Sequence, residues 1–318
     1  MNFTEKKDQL VGIITDILVP LIINDFVLMD LPHHANIGDI LIWEGELQFI
    51  KQYLKNYKLL YTCSMHNCSY PKLNNNTIIM LHGGGNFGDI WYSSQLFRKK
   101  ILKKYPYNKI IILPQTVWYD NEKLLLEDAS FFSKHKNVTI CARDKISYEI
   151  LKKHFAANTV LMIPDMAFCI PGDQLGRYRS KRGQKTLFLK RTDKELNNTI
   201  DYSQYITETE LDIHDWPSKE KMVLSNIFMR GLSWISKIIP ILFPVITNIY
   251  ATYIYKPKMI KTGVKFVKKY EKVYTTRLHT AILCCLLEKK CTFFDNSYGK
   301  NSSFYKTWLS DLKGIDFI

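Results

Sequence analysis

The chain has 318 residues, of which 46% are apolar and 23% charged, and its net charge is +14. That length suits two domains, each with a sizeable core, and the composition is that of a soluble globular protein. The basic balance points to phosphorylated substrates or an anionic membrane surface; with no Arg/Lys block interleaved with aromatics and no helix-turn-helix or zinc-finger signature, a nucleic-acid partner is not expected.

Residues 1–25 place Leu10, Ile13, Ile14, Ile17 and Leu18 at helical spacing, predicting an opening helix that ends near Pro20. From there strands and helices alternate. A strand at 26–30 leads through a loop with Asn36, Gly38 and Asp39 into a helix over about 40–54. Strands at 58–62 and 77–81 follow, the second running into HGGGNFGD (82–89) and a helix over 91–104. Strands at 109–114, 138–143 and 160–163 alternate with helices at 122–134 and 144–155, the latter capped by Asp144. Continuous apolar strands between helices imply a parallel sheet covered on both faces. Ligands of such sheets sit beyond the carboxyl ends of the strands, where Asn36, Asp39, the 83–89 loop, Gln115 and Arg143 all fall.

The Gly-rich, basic stretch 171–185 reads as a linker between a domain at 1–170 and one at 186–318. The second domain opens with a strand at 186–190, which delivers Lys190 and Arg191 at its end. Residues 201–215 are polar and give no regular element, and Pro217 marks a helix start. The segment 232–255 is strongly apolar. Its uncharged run covers 238–255, contains Pro240 and Pro244, and is flanked by Arg230, Lys237, Lys256, Lys258 and Lys261. Three readings are open for it. A spanning helix needs about 20 apolar residues. An interfacial segment would use the basic flanks and the Trp/Tyr anchors. A buried interdomain helix pair would need neither. Residues 271–295 then form a strand, a turn with Arg277 and His279, a buried helix and a second strand. A last helix is expected within 296–318.

Seven cysteines (Cys63, Cys68, Cys141, Cys169, Cys284, Cys285 and Cys291) sit mostly in apolar runs, as reduced thiols of a cytoplasmic protein would. There is no CxxC pair, so no metal site is expected. The first ten residues are too charged for a signal peptide.

Two motifs carry chemistry. HGGGNFGD brings backbone close to a ligand, but it lacks the Lys-Ser/Thr of a nucleotide-binding P-loop and the GxGxxG spacing of a dinucleotide site. Its Asn86–Asp89 portion echoes Asn36–Asp39, which suggests one shared pocket. In the second motif, Arg277 and His279 stand where a strand gives way to a helix, and a helix start attracts anions. Plainer alternatives stay open: His279 as a packing side chain, Arg143 as the partner of Asp144 or Asp165, Asp165 as structural or catalytic, and His33, His34 and His82 as turn residues.

NIGD, HGGGNFGD, CARDK, IPDMAF, FLKRTDKE, TTRLHTAI and FFDNSYGKNSSFYKTW occur in that order, and together they resemble the polysaccharide pyruvyl transferase family, above all its bacterial exopolysaccharide members. The apolarity of 232–255 and the Cys284–Cys285 helix followed by Glu288-Lys289-Lys290 depart from the pattern. The resemblance implies two Rossmann-like domains in a glycosyltransferase-B-like arrangement with an interdomain cleft. It also implies transfer of the enolpyruvyl unit of phosphoenolpyruvate onto two sugar hydroxyls, with no cofactor beyond that co-substrate. Two anionic ends of the donor call for two cationic clusters, Arg277, Leu278 and His279 on one side and Arg143, Lys190 and Arg191 on the other. His279 is the candidate acid, with Arg277 beside it, and Asp39 or Asp89 the candidate base. Asn36, Asp39, Gly84, Gly85, Asn86 and Asp89 fall on the acceptor side. The acceptor sugar, of galactose type, would be lipid-linked or nucleotide-linked, at the inner face of the cytoplasmic membrane if 232–255 touches lipid. The competing readings are a nucleotide-sugar glycosyltransferase of the same shape and a non-catalytic sugar- or phosphate-binding module.

Overall fold

The computed structural model describes residues 1–180, 183–239 and 243–318. Residues 181–182 of the expected linker and 240–242 of the apolar segment, Pro240 included, lie outside the described residues. Among the described residues twelve strands form two wholly parallel sheets. The first contains β1 (Phe26–Met29), β2 (Leu59–Cys63), β3 (Ile78–Leu81), β4 (Gly84–Gly88), β5 (Ile110–Trp118), β6 (Val138–Ala142) and β7 (Thr159–Met162). Its order is β2-β1-β3-β5-β6-β7, with β4 beside the far half of β5. The second contains β8 (Thr186–Leu189), β9 (Leu211–His214), β10 (Lys272–Thr275), β11 (Cys291–Phe293) and β12 (Ile315–Phe317), in the order β12-β11-β10-β8-β9.

Both orders reverse once. In the first sheet the chain goes from β1 outward to β2, then back to β3 on the other side. In the second it goes from β8 to β9, then back to β10. A crevice opens at such a reversal, because consecutive loops leave in opposite directions. The loops after β1 and β3 flank one crevice, and those after β8 and β10 flank the other.

Three strands were not expected from the sequence. Residues 84–88, read as loop, pair with β5, and β9 and β12 lie at sheet edges. The Ile37–Tyr53 helix starts three residues earlier than predicted, because the Asn36 side chain accepts a 3.0 Å bond from the Gly38 amide and caps it.

One apolar core runs between the two sheets. The Leu278–Leu286 helix is buried at every position and packs on the Ile37–Tyr53 helix. Each of its fully buried Leu or Ile side chains contributes about 2 kcal/mol of apolar burial. Gly45 permits that helix to touch the Met166–Cys169 turn, since a Cβ there would lie 1.9 Å from the Met166 carbonyl oxygen. The chain ends cross between the sheets. Lys6, from the first helix (Phe3–Leu18), pairs with Asp311 at 2.5 Å. Near the C-terminus, the Trp308 indole donates to the Arg143 carbonyl at 2.7 Å.

The apolar segment is buried along one face only, through Leu232, Thr247, Ala251 and Tyr255, and exposed along the other. It forms the second half of a Val223–Ile238 helix, a Phe243–Tyr250 helix and a turn leading to the Lys256–Lys268 helix. No helix among the described residues is long and apolar enough to cross a membrane.

Candidate active site

The two crevices face one another across a single cleft of about 670 Å³. Asn36 and Asp39 line it from the loop after β1, Gly85 and Asn86 from β4, and Arg143 from the end of β6. The second sheet supplies Arg191 after β8 and Arg277, Leu278 and His279 after β10. Lys300, Glu195, Asp193 and Asp215 complete the charged lining, with Arg230 at its margin. Five formal cations (Arg143, Arg191, Arg230, Arg277, Lys300) face four carboxylates (Asp39, Asp193, Glu195, Asp215), before the histidines are counted.

At the floor, Arg143 is fully buried. Its Nη1 donates to Asp165 at 2.7 Å and its Nε to Thr116 at 2.9 Å. His279 reaches across from the other sheet, with Nε2 3.3 Å from the same Asp165 oxygen and 3.4 Å from Arg143 Nη1. Burial alone would raise the Asp165 carboxyl, but His279 and Arg143 hold it well below the usual carboxylate range. Asp165 is therefore a buried anion that orients both neighbours. Arg143 pairs with it rather than with Asp144, which caps the Lys145–His154 helix instead. Gly38 backs the His279 ring so closely that a Cβ there would come within 2.6 Å of Nδ1. Gly85 lies over the guanidinium, where a Cβ would be 3.0 Å from Arg143 Nη2 and 3.7 Å from Lys300 Nζ.

On the opposite wall, Asp215 holds Arg277 through two bonds of 2.5 and 2.6 Å, and Asp193 adds a third at 3.2 Å. Arg191 pairs with Asp193 at 2.7 Å and with Glu195 at 2.9 Å. Lys300 pairs with Glu195, which also accepts from Tyr298 at 2.8 Å. Burial, helped by nearby Arg191 and Arg143, lowers the Lys300 ammonium to about 8 despite Glu195. Burial would raise Glu195, but Lys300 and Arg191 keep it low.

Not every expected residue lies in the cleft. Lys190 turns away, its ammonium 5.0 Å above the Tyr202 ring and 5.9 Å above Phe188. Asp89 spends both carboxylate oxygens on the Asp120 and Asn121 amides at 2.7–3.0 Å, so it pins the loop after β5 and lies outside the cleft lining. Gly84 sits just behind the lining, where a Cβ would be 3.8 Å from Asp39 Oδ1. The Asn86 side-chain oxygen is taken by Arg98. His82 and Glu46, 2.8 Å apart, lie buried behind the glycine loop, and Glu46 also accepts from the Gly83 amide. Lys300, Glu195, Asp193 and Asp215 were not singled out from the sequence. Three of them lie inside strings that carried the resemblance, FLKRTDKE and FFDNSYGKNSSFYKTW.

Two parallel-sheet domains with a charged cleft between their reversal points define the class: a glycosyltransferase-B-like fold. A solved structure from Klebsiella pneumoniae subsp. pneumoniae NTUH-K2044, described as an uncharacterized protein, shares the fold. It has a TM-score of 0.57 at 22% identity and covers 100% of this chain and 99% of its own. The chain belongs to the polysaccharide pyruvyl transferase family, which matches residues 36–298. It is 33% identical to "Putative pyruvyl transferase EpsO" of Bacillus subtilis (strain 168), over 93% of this chain and 88% of that protein. It is 26% identical to "Pyruvyl transferase 1" of Schizosaccharomyces pombe, over 93% of this chain and 73% of the relative. "General stress protein 30" of Bacillus subtilis is also 26% identical, over 98% and 86%.

Proposed function

We propose that the protein transfers the enolpyruvyl group of phosphoenolpyruvate to two hydroxyls of a galactose-type sugar, lipid-linked or nucleotide-linked, forming a cyclic pyruvate ketal for a surface polysaccharide or capsule. The observation that carries this reading is the meeting of Arg143 and Asp165 from one sheet with His279 from the other, within 3.4 Å. That contact brings a guanidinium, a carboxylate and an imidazole from both halves to one point at the floor of the cleft.

The donor has a carboxylate and a phosphate. Arg143 with His279 suits one end; Arg191, Arg277 and Lys300 suit the other. Each of these arginines, and Lys300, is already held by a carboxylate, so its remaining N–H groups meet a ligand with little reorganisation. His279 serves as the acid, giving C3 of the enol its proton and making C2 electrophilic. A sugar hydroxyl adds to C2 and yields its proton to Asp39. Asp39 lines the cleft, accepts from the Asn36 amide at 2.8 Å, lies 3.6 Å from His34 Nε2 and, among the described residues, pairs with no arginine or lysine. The C2–O bond to phosphate breaks, inorganic phosphate leaves, and the second hydroxyl closes the ring with loss of its own proton. Nucleotide-sugar transfer would need a carboxylate free for the donor ribose. Glu195, the second sheet's best-placed candidate, is bound to Lys300 and Arg191.

The test is acceptor-dependent phosphate release from phosphoenolpyruvate. His279→Ala is expected to abolish release while phosphoenolpyruvate still binds. Turnover of a nucleotide sugar without phosphate release would overturn the proposal.

A further inference from the structure

The Val223–Ile238 helix is folded inside out. Its buried positions include Ser225, Ser233 and Ser236 beside Met229 and Leu232. Its outward positions include Leu224, 82% exposed, and Trp234, 65% exposed, with Phe228 and Ile238 between and beyond them. The Phe243–Tyr250 helix repeats the pattern: Thr247 is buried, while Val245, Ile246 and Ile249 face out. Tyr253, 75% exposed, and Ile254 continue the surface. The two helices are joined on the inside by hydroxyls, Ser236 to Thr247 at 2.8 Å, and Asn248 is held by Asn67 at 2.8 Å. A soluble helix pair normally buries its apolar stripe and exposes its polar one, and so wide an apolar face marks an interaction site.

Charge identifies what covers it. From 221 to 270 the chain carries nine Lys or Arg residues and no Asp or Glu; Lys256 is buried against Glu44 and Lys268 is held by backbone carbonyls, while Arg230, Lys237, Lys258, Lys261 and Lys265 are exposed. Two copies of such a face would repel each other, whereas an anionic lipid surface attracts it, each basic residue near the surface adding about 1 kcal/mol. The Val223–Ile238 helix, 16 residues long, measures only about 24 Å. It therefore lies along a bilayer rather than across one, with its aromatic rings at headgroup depth.

We propose that the 223–255 helical pair docks the protein on an anionic bilayer. The same surface leads into the cleft. Ile227 and Arg230 line the cleft, and Arg230, Trp234 and Lys237 share an adjoining recess of about 270 Å³ with His34 and His66. A groove of about 720 Å³ beside the second helix, walled by Leu60, Val245, Ile249 and Tyr253, offers apolar contact to an acyl chain. Docking brings the cleft mouth to the lipid surface, where a lipid-linked acceptor would be presented. This last point rests on the proposed transfer reaction; the docking itself does not.

Co-sedimentation with vesicles tests it without any turnover. The full chain is expected to bind phosphatidylglycerol–phosphatidylcholine vesicles and to leave phosphatidylcholine vesicles alone, with binding that weakens as salt rises. A Leu224→Glu/Ile254→Glu variant is expected to lose roughly tenfold or more in vesicle affinity, and Lys261→Glu/Lys265→Glu to lose the preference for the anionic lipid. Both pairs lie outside the cleft lining, so melting temperature and activity on a water-soluble acceptor stay at wild-type values. Equal binding to both vesicle types, unchanged binding by the Glu variants, or a lipid-free dimer that Leu224→Glu dissociates would each overturn the proposal. The last outcome would assign the face to a second copy of the chain.

Discussion

Gly38→Ala isolates the positioning of His279 from everything else in the cleft. Gly38 lies in the first turn of the Ile37–Tyr53 helix, and the clash there comes from the neighbouring ring rather than from its own backbone. A Cβ at 38 would lie 2.6 Å from His279 Nδ1, 2.9 Å from Cγ and 3.0 Å from Cβ. Non-bonded carbon contacts are comfortable only from about 3.5 Å, so the ring must retreat by about 0.9 Å. The Nε2 contacts, now 3.3 Å to Asp165 and 3.4 Å to Arg143, would be disturbed by a shift of that size. Overpacking costs about 1–3 kcal/mol, and the helix propensity of Ala over Gly offsets about 1 kcal/mol of that, so the protein stays folded. A misplacement of about 1 Å at a catalytic group costs on the order of 100-fold in rate. The assay is kcat for phosphate release, read beside a thermal melt. Gly12→Ala is the control, because nothing lies within 4 Å of its Cβ position. A Gly38→Ala enzyme with near wild-type kcat and melting temperature would refute the placement of His279 as the acid.

Three further outcomes are expected. Asp165→Asn leaves the buried Arg143 without its counter-charge and should cost about 3–5 kcal/mol in denaturant unfolding; a loss under about 1 kcal/mol would show that the pair is not a stabilising element. Lys300 binds an anion only while protonated, so the KM for phosphoenolpyruvate should stay low below pH about 8 and rise above it, approaching tenfold per pH unit; Lys300→Met should show a high KM without that rise, and a flat wild-type profile would remove Lys300 from donor binding. Lys190→Ala should lose only the ring contact, about 0.5–1 kcal/mol of stability, and leave the donor KM unchanged; a large rise in KM would return Lys190 to the cleft.

Much of this was legible in the sequence because parallel α/β folds write their strands as unbroken apolar runs. The strand ends then located Asn36, Asp39, Arg143, Arg191, Arg277 and His279, all of which line the cleft. The failures have separate physical causes. Lys190 and Arg191 are consecutive at the end of a strand, where neighbouring side chains point to opposite faces, so only one could enter the cleft. The ammonium of the cleft lining comes instead from Lys300, more than a hundred residues on, and no local pattern announces it. Asn36–Asp39 and Asn86–Asp89 share letters but not backbone. The first caps a helix; the second is a strand that ends at Gly88 with a φ of 120°. That conformation turns Asp89 toward the loop after β5. The strand β4 was invisible because Gly-Gly-Asn has little strand propensity, and its pairing with β5 is non-local. The edge strands β9 and β12 are short and partly exposed, without an apolar run to mark them. For 232–255, composition alone could not say which face of each helix turns outward; the buried serines decide it.

The most direct measurement is turnover of phosphoenolpyruvate and a galactoside acceptor in deuterated water, with the product read by mass spectrometry and NMR. Protonation of C3 by an exchangeable group on the enzyme predicts an acceptor that gains a pyruvate less one water, with one deuterium in the new ketal methyl and one inorganic phosphate released per product. An acceptor that gains a sugar instead, or a pyruvyl methyl without deuterium, would contradict the account.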